Sequence, residues 1–261
     1  MVRLGIISCP MPLKHLHPAT SYVYQSYLNW VGLAATPLII PYDTADLAPY
    51  LQSVDGLVWV GGGIENKVTH SDKQFEVMLR TYERAYHHAV EENDAGRPFP
   101  IFGICLGFYL LALLGEEVRH DFFSKQRVQK VPKFSPGTLQ FVGDSRLKRL
   151  FTPKELKTMA VTKVTNHIHA YGFAADSPHT RGLRHLSVTS YERSDDGVRF
   201  VNMFEFKRYP FYGCQWHPDR PLTEGAVALS RKLIIYVASL CTSRPLTPSL
   251  LKRTASKVLI N

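Results

Sequence analysis

The sequence predicts an α/β fold in which a mostly parallel central sheet is flanked by helices. In the first half of the 261-residue chain, short apolar runs alternate with helical patterns, which is typical of parallel strands joined by crossover helices. The chain is 45% hydrophobic and 20% charged. This composition suits a large buried core and excludes a disordered, collagen-like or disulfide-stapled protein. The length suits one large domain or two small ones.

The first predicted elements lie near the amino terminus. Residues 4–7 are apolar apart from one glycine and are predicted to form a buried strand. A helix is predicted over residues 21–31, with Gly32 as its stop. The apolar side chains on one face of this helix are Val23, Tyr27, Trp30 and Val31. Two more apolar runs, at residues 38–40 and 56–60, are predicted to be the next strands.

A long helix follows, and its start is visible in the sequence. Ser71 can cap it and Gln74 can return the hydrogen bond, which is a capping-box pattern. Its apolar face consists of Phe75, Met78, Leu79, Tyr82, Ala85, Tyr86 and Ala89. A fourth strand is predicted at residues 100–104, and it leads through Cys105 into an apolar helix over residues 106–114.

The pattern is looser over residues 119–204. Short strands are predicted there at residues 139–142 and 187–191. Residues 211–216 are predicted to return to the main sheet as a late strand, and residues 224–240 to form a final amphipathic helix.

The charge is unevenly distributed between a single domain over residues 1–241 and a tail over residues 242–261. The whole chain carries a formal charge of +9, with a pI near 9.4. The tail has no acidic residue and contributes four of these charges, from Arg244, Lys252, Arg253 and Lys257, which leaves +5 on the domain. Such a balance favours anionic partners. The tail alone points, weakly, to a nucleic acid or a membrane.

Cysteine usage and the amino terminus give the expected compartment. The four cysteines, Cys9, Cys105, Cys214 and Cys241, are far apart and form no CxxC pair, so neither a zinc site nor a redox pair is expected. We expect no metal and no cofactor. Residues 1–8 lack the apolar region and cleavage site of a secretory signal. The sequence therefore predicts a reduced, cytoplasmic protein.

The most informative segment is Gly103-Ile104-Cys105-Leu106-Gly107. A nucleophile between two glycines at a strand-to-helix junction is typical of a nucleophile elbow, here with cysteine in place of serine. The turn strains the backbone of the nucleophile and leaves no room for flanking side chains. The helix behind it favours thiolate and offers the N–H of Leu106 to an oxyanion. Taken alone, the motif would more often be a buried cysteine behind a tight turn.

A second segment changes that balance. In Gln215-Trp216-His217-Pro218-Asp219, a histidine follows a predicted strand and a carboxylate comes two residues later. His217 and Asp219 thus supply a general base and its orienting partner for Cys105. The run Gly61-Gly62-Gly63 follows the third strand and could offer a second oxyanion N–H, from Gly62.

These blocks resemble the two signature motifs of class I glutamine-amidotransferase-like hydrolases, whose fold is flavodoxin-like. The run Gly103-Ile104-Cys105-Leu106-Gly107-Phe108 and residues 209–219 are most similar to the gamma-glutamyl hydrolase (folate polyglutamate hydrolase) branch. The similarity covers roughly residues 3–240 and stops before the tail. Supporting stretches lie at residues 5–7, 19–23, 131–135 and 203–205.

The resemblance implies a thiol hydrolase of γ-glutamyl amide bonds. Cys105 would be the nucleophile, His217 its base and Asp219 the residue that orients His217. The N–H groups of Leu106 and Gly62 would hold the oxyanion. A γ-glutamyl thioester would form and be resolved by water.

The resemblance also implies substrate-binding residues and partners. His169 matches a family histidine in a His-x-aromatic context, with Tyr171 as the aromatic residue and His167 as a rival; either histidine could instead be structural. Gly61 would line the substrate site. The partner would be a small γ-glutamyl substrate, and a homodimer is a candidate assembly, although no self-complementary patch in the sequence points to one.

Four positions depart from the family pattern. Asp219 stands where a glutamate is usual, Tyr109 where a glutamate often follows the elbow, Val60 where the oxyanion loop has proline, and His17 where a tyrosine precedes the first helix. They leave a catalytically impaired or repurposed member as an alternative.

Three hypotheses follow. In the first, a γ-glutamyl hydrolase uses surplus positive charge to bind a chain of carboxylates, and the candidate side chains are Lys125, Arg127, Lys130 and Lys133. In the second, the chain is a glutamine amidotransferase subunit, against which Phe108 argues because such glutaminases more often have histidine there. In the third, the chain is a non-enzymatic, basic scaffold in a larger assembly, for which RNA is one candidate component.

Overall fold

The computed structural model describes residues 1–11, 21–62, 72–116, 129–177, 180, 183–241 and 258–260. The strands within these ranges are β1 (Arg3–Ile7), β2 (Cys9–Pro10), β3 (Ser21–Val23), β4 (Thr36–Ile40), β5 (Gly56–Trp59), β6 (Ile101–Ile104), β7 (Gln129–Lys133), β8 (His169–Gly172), β9 (Leu186–Arg193), β10 (Arg199–Phe206), β11 (Phe211–Cys214) and β12 (Val258–Ile260). The helices are α1 (Gln25–Gly32), α2 (Ala48–Gln52), α3 (Asp72–Asp94), α4 (Leu106–Gly115), α5 (Pro153–Val161) and α6 (Glu224–Ser239).

A seven-stranded sheet forms the centre of the molecule, with the strand order β4-β1-β5-β6-β11-β10-β9. The first five strands pair in parallel, whereas β10 is antiparallel to both β11 and β9. Every residue of β5, β6 and β11 is buried, as expected for strands that helices cover on both faces. The predicted α/β class with a mostly parallel sheet is confirmed.

Helix α4 fixes the middle of this sheet. Its sequence, LGFYLLALLG, is apolar throughout, and nine of its ten residues are buried. A helix that is hydrophobic on all sides belongs in the interior. The junction between β6 and α4 is therefore held rigidly by the core.

Two small sheets accompany the large one. Strands β7 and β8 pair antiparallel, and β3 lies between β2 and β12 in the other sheet. The pairing of β12 with β3 is parallel, with Leu259 opposite Tyr22. The end of the predicted tail thus pairs with the domain, while residues 242–257 lie outside the described residues.

Most predicted elements are present, and two need correction. The helix predicted from residue 21 begins at Gln25, because Ser21–Val23 forms a strand instead; its tyrosine and valine suit the ladder with β2. The strand predicted at residues 139–142 is absent. There the N–H of Leu139 donates to the carbonyl of Met159, and the N–H of Val142 donates to the carbonyl of Thr189. The backbone of this segment therefore bonds to two different elements and forms no continuous strand pairing.

Two other features concern the helices. The predicted cap Ser71 lies outside the described residues. Within the described part of the chain, no helix combines the length and the apolar character needed to cross a bilayer.

Candidate active site

Cys105 occupies the turn between β6 and α4. Its backbone has φ 51° and ψ −102°, and it is the one non-glycine residue with positive φ among those described. A Cβ on Gly103 would lie 2.5 Å from the carbonyl oxygen of Gly107, so the two sides of the turn touch. The strained nucleophile and the need for flanking glycines, both expected from the sequence, are present here.

Two hydrogen bonds hold this turn against the sheet. The N–H of Cys105 donates to the carbonyl of Cys214 at 3.0 Å, and the N–H of Gly107 donates to the carbonyl of Val60 at 3.1 Å. Leu106 is the first residue of α4, where an α-helix offers no acceptor for the N–H. The positive end of the helix dipole therefore meets the thiol.

His217 lies just beyond β11, and its imidazole is oriented from several sides. Its Nδ1 is 3.2 Å from Oδ1 of Asp219 and 3.4 Å from Oη of Tyr27. Its backbone N–H donates to the carbonyl of Asn166 at 2.8 Å. These contacts hold the imidazole in one orientation.

The carboxylate of Asp219 is held in turn through its other oxygen. Ser26, on α1, donates its hydroxyl to Oδ2 at 2.6 Å, and Nε of Arg220 lies 3.4 Å from the same atom. The shorter aspartate therefore still reaches His217, and the departure from glutamate leaves this link of the predicted triad in place.

The charge of His217 follows from these neighbours. Burial disfavours the imidazolium, but hydrogen bonds to Asp219 and to Cys105 outweigh burial and raise the pKa of His217 to about 9. At neutral pH the ring is protonated beside the thiol. A cationic imidazole beside a thiol is the environment that favours a reactive cysteine.

The predicted oxyanion region is assembled next to this pair. The N–H of Gly61 is occupied, since it donates to Oη of Tyr27 at 2.8 Å. Gly62 packs closely on Leu106, because a Cβ on Gly62 would lie 3.1 Å from Cδ2 of that leucine. The side chain of Leu106 therefore packs against Gly62, which lines the cleft together with Cys105.

An open cleft of about 220 Å³ lies over the cysteine. Of the sequence-predicted site residues, six line it: Gly61, Gly62, Cys105, His169, Tyr171 and His217. The remaining lining residues are Tyr22, Tyr24, Tyr109, Phe134, Ile168 and Arg220. Asp219 and Leu106 are buried behind the lining.

The histidine pair of the predicted substrate site forms a second, contrasting cluster. Nε2 of His169 lies 3.1 Å from Nδ1 of His167, whose Nε2 is 3.1 Å from Oγ1 of Thr165. Burial and the charge of His217 outweigh a hydrogen bond to the Tyr171 backbone and lower the pKa of His169 to about 3. Burial also lowers the pKa of His167. His169 lines the cleft and is neutral, with His167 as its partner.

The other departures from the family pattern are also placed. Tyr109 lines the cleft and donates its hydroxyl to the carbonyl of Tyr171, so it ties α4 to β8. Val60 uses its carbonyl to anchor the elbow through Gly107. His17 lies outside the described residues.

Two of the four basic residues proposed for substrate binding are described, Lys130 and Lys133, and neither lines the cleft. Lys133 is buried, with Nζ 3.6 Å from Asp195 and a hydrogen bond to Ser135. Lys130 pairs through the backbone with Tyr171 and does not line the cleft. Lys125 and Arg127 lie outside the described residues.

Sequence reasoning missed the supporting residues Ser26, Tyr27 and Arg220. Arg220 directly follows the Gln-Trp-His-Pro-Asp block, which was a usable signal. Ser26 and Tyr27 lie on α1, about 190 residues away along the chain, and no local pattern connects them to the site. Among the described residues, no group of three or more histidine, cysteine, aspartate or glutamate side chains could hold a metal ion.

The chain is similar to known gamma-glutamyl hydrolases. Gamma-glutamyl hydrolase 1 of Arabidopsis thaliana is 27% identical over 242 residues, covering 85% of this chain and 65% of the relative. Human gamma-glutamyl hydrolase is 26% identical over 204 residues, covering 77% of this chain and 60% of the relative. The chain thus spans somewhat less than two thirds of the length of these two relatives.

Solved structures show the same fold at low identity. The glutaminase domain of Trypanosoma brucei CTPS, solved with bound acivicin, superposes with a TM-score of 0.61 at 17% identity, covering 95% of this chain and 100% of that chain. A chain in the structure of PurLQS from Thermotoga maritima gives a TM-score of 0.56 at 14% identity, covering 90% and 97%. The fold is that of class I glutamine amidotransferases.

The family is shown by a match that covers most of the chain. Residues 5–219, which include the elbow, the cleft histidines and the carboxylate, match the Peptidase C26 family. With the resemblance to gamma-glutamyl hydrolases confirmed, the chain belongs to the Peptidase C26 family.

Proposed function

We propose that the protein is a thiol hydrolase that cleaves γ-glutamyl amide bonds through a cysteine thioester. The observation that carries this proposal is that Cys105 and a protonated His217 line one cleft, with Asp219 buried behind them and in contact with Nδ1 of His217. The family and the similarity to named gamma-glutamyl hydrolases supply the substrate class.

The first half of the reaction forms the thioester. The Cys105 sulfur attacks the γ-carbonyl carbon, and the oxygen of that carbonyl takes up the negative charge. The N–H groups of Leu106 and Gly62 are the proposed donors to this oxyanion. His217 then gives its proton to the departing amine nitrogen, and the C–N bond breaks.

The second half releases the product. The neutral His217 takes a proton from water as the water oxygen attacks the thioester carbon. The C–S bond breaks, the γ-carboxyl product leaves, and the thiolate–imidazolium pair is restored. Asp219 keeps Nδ1 of the ring engaged throughout, so Nε2 is the nitrogen that exchanges protons.

For the substrate we propose folate polyglutamates or related γ-glutamyl peptides. The cleft of about 220 Å³ is smaller than the roughly 300–1,000 Å³ that encloses a whole drug-sized ligand. It therefore fits the scissile γ-glutamyl unit, with the rest of a longer substrate outside. Five aromatic side chains around the opening offer stacking surfaces: Tyr22, Tyr24, Tyr109, Phe134 and Tyr171.

The test is incubation with a polyglutamated pteroate and, separately, with glutamine. We expect the wild-type protein to shorten the polyglutamate chain, and Cys105→Ala to lose this activity. Cys241→Ala is the matched control, because Cys241 lies at the end of α6, where its thiol bonds to the carbonyl of Val237.

The other outcomes separate the alternatives. Ammonia released from glutamine without cleavage of the polyglutamate would make the protein a glutaminase. If the protein acts on neither compound and Cys105 resists alkylation, the hydrolase proposal is wrong and the basic scaffold is left.

A further inference from the structure

The cleft contains one permanently charged side chain among its described lining residues, and that side chain is Arg220. Its other lining residues are aromatic, aliphatic, glycine, cysteine or histidine. The γ-glutamyl group carries an α-carboxylate close to its reacting carbonyl, and a buried carboxylate requires a charged or hydrogen-bonding partner.

We infer that Arg220 is the specificity residue that binds the α-carboxylate of the γ-glutamyl group. The inference rests on the proposed function and deepens it, because it names the side chain that distinguishes a γ-glutamyl amide from other amides.

The guanidinium is held in place by its inner edge. Its Nε lies 3.4 Å from Oδ2 of Asp219 and donates to Oγ of Ser26 at 3.4 Å. Its carbon lies 4.3 Å from the centre of the Tyr24 ring, a cation–π distance. Three neighbours therefore position the group before any substrate arrives.

Among the described residues, the outer edge of the same guanidinium has no hydrogen-bond partner. Neither Nη nitrogen makes a hydrogen bond within the described part of the chain, and the side chain is 34% exposed. Two parallel N–H groups on a planar fork match the two oxygens of a carboxylate. Arg220 thus presents a fork that is oriented and available.

The position of Arg220 beside the reacting groups is also fixed by the backbone. Its N–H donates to the carbonyl of His217 at 3.2 Å, and its own carbonyl accepts from Nδ2 of Asn166 at 2.9 Å. The turn that carries the proton donor therefore also carries the carboxylate-binding group. A substrate anchored by its α-carboxylate would present the γ-carbonyl to the neighbouring Cys105.

The nearest competitors for this role are excluded by their contacts. Lys133 is buried and engaged with Asp195 and Ser135. His169 lines the cleft, but burial lowers its pKa to about 3, so it carries no charge at neutral pH.

Arg220 could also act only by steadying Asp219, and the experiment separates the two roles by changing the substrate. The probes are γ-glutamyl-p-nitroanilide and 4-aminobutyryl-p-nitroanilide, which lacks the α-carboxylate. The variants are Arg220→Gln and Arg220→Lys, each with its thermal midpoint measured to confirm folding.

We expect Arg220→Gln to lower kcat/KM for the γ-glutamyl substrate about 10- to 100-fold more than for the 4-aminobutyryl substrate, as for the loss of a charged hydrogen bond. Arg220→Lys should recover part of this difference, since it keeps the charge but not the fork.

Equal losses on both substrates would overturn the inference and leave Arg220 as a positioning residue for Asp219. Should the wild-type protein cleave no γ-glutamyl compound, the proposed function itself fails, and the inference fails with it. If Arg220→Gln does not fold, the comparison is made with Arg220→Lys. The inference then requires that Arg220→Lys raises KM for the γ-glutamyl substrate.

Discussion

His217 and His169 line the same cleft and both are buried, yet at neutral pH His217 is positively charged and His169 is neutral. Hydrogen bonds to Asp219 and Cys105 overcome burial and raise the pKa of His217 to about 9. His169 has His167 as its side-chain partner, and burial lowers its pKa to about 3. The partner of each ring, rather than its burial, decides whether the ring can donate a proton.

The difference divides the cleft into two walls. The proton-transfer wall consists of Cys105 and His217, with Asp219 buried behind them. The neutral wall consists of His169 and Tyr171, with His167 buried behind them. A carboxylate next to a ring prepares it for acid–base work, whereas a second neutral ring prepares it for hydrogen bonding alone.

The largest effect should come from the proton-transfer wall. His217→Asn removes the proton donor, so we expect kcat/KM to fall by about 10²- to 10⁴-fold. Steady-state kinetics on a γ-glutamyl anilide measure this. His185→Asn is the control, because His185 is exposed and away from the cleft. Similar losses in both variants would contradict the assignment.

Breaking the carboxylate contact should have the next largest effect. Asp219→Asn removes a bond that raises the pKa of His217, so the imidazolium loses its proton at lower pH. The alkaline limb of the kcat/KM profile, expected near pH 9 in the wild type, should move down. Activity at pH 7 should fall about 10- to 100-fold, as for a charged hydrogen bond.

Asp219→Glu is the matched variant, since it keeps a carboxylate. Its alkaline limb should stay close to that of the wild type even if its rate is lower. An unchanged limb in Asp219→Asn would show that Asp219 does not set the charge of His217.

The neutral wall should respond less and differently. His169→Gln replaces one neutral hydrogen-bonding group by another, so we expect kcat/KM to fall by about five-fold, which corresponds to about 1 kcal/mol. Its alkaline limb should stay near that of the wild type. A shift as large as that of Asp219→Asn would show that the two walls do not act separately.

The smallest effect concerns stability at the elbow. A non-glycine residue with positive φ costs about 1–2 kcal/mol, and glycine gives back about 0.5–1 kcal/mol through its own entropy. The free energy of unfolding of Cys105→Gly, measured by urea denaturation, should therefore be about 0.5–1 kcal/mol higher than that of Cys105→Ala. Equal stabilities would mean that the elbow stores no strain.

The sheet and the predicted catalytic group were accessible from sequence because each is written locally. The elbow glycines surround Cys105, and the Gln-Trp-His-Pro-Asp block brings His217 and Asp219 together within three residues. Buried strands such as β6 and β11 are apolar runs that need no knowledge of their neighbours.

Features that depend on contacts between distant segments were predicted less well. The strand at Ser21–Val23 is stabilised by its pairing with β2. In the sequence, Val23 fits the helical spacing of the apolar residues that follow it, so a helix was predicted instead. The basic residues chosen for the substrate were judged by charge alone. The structure instead engages Lys133 with Asp195 and brings Arg220 to the cleft.

The net charge of +9 likewise did not identify the basic residue that lines the cleft. A net charge adds up side chains wherever they lie, whereas recognition depends on the one that faces the ligand. Of the many basic residues, Arg220 is the one among the described residues that lines the cleft.

By itself, the sequence determined the α/β class and predicted the candidate nucleophile and its two partners, because short motifs carry them. The tertiary structure alone decided that His217 is charged and His169 neutral, and that Ser26 and Arg220 hold Asp219. The physical reason is that protonation and ion pairing depend on burial and on groups within a few ångströms, and here those groups come from segments as much as about 190 residues apart.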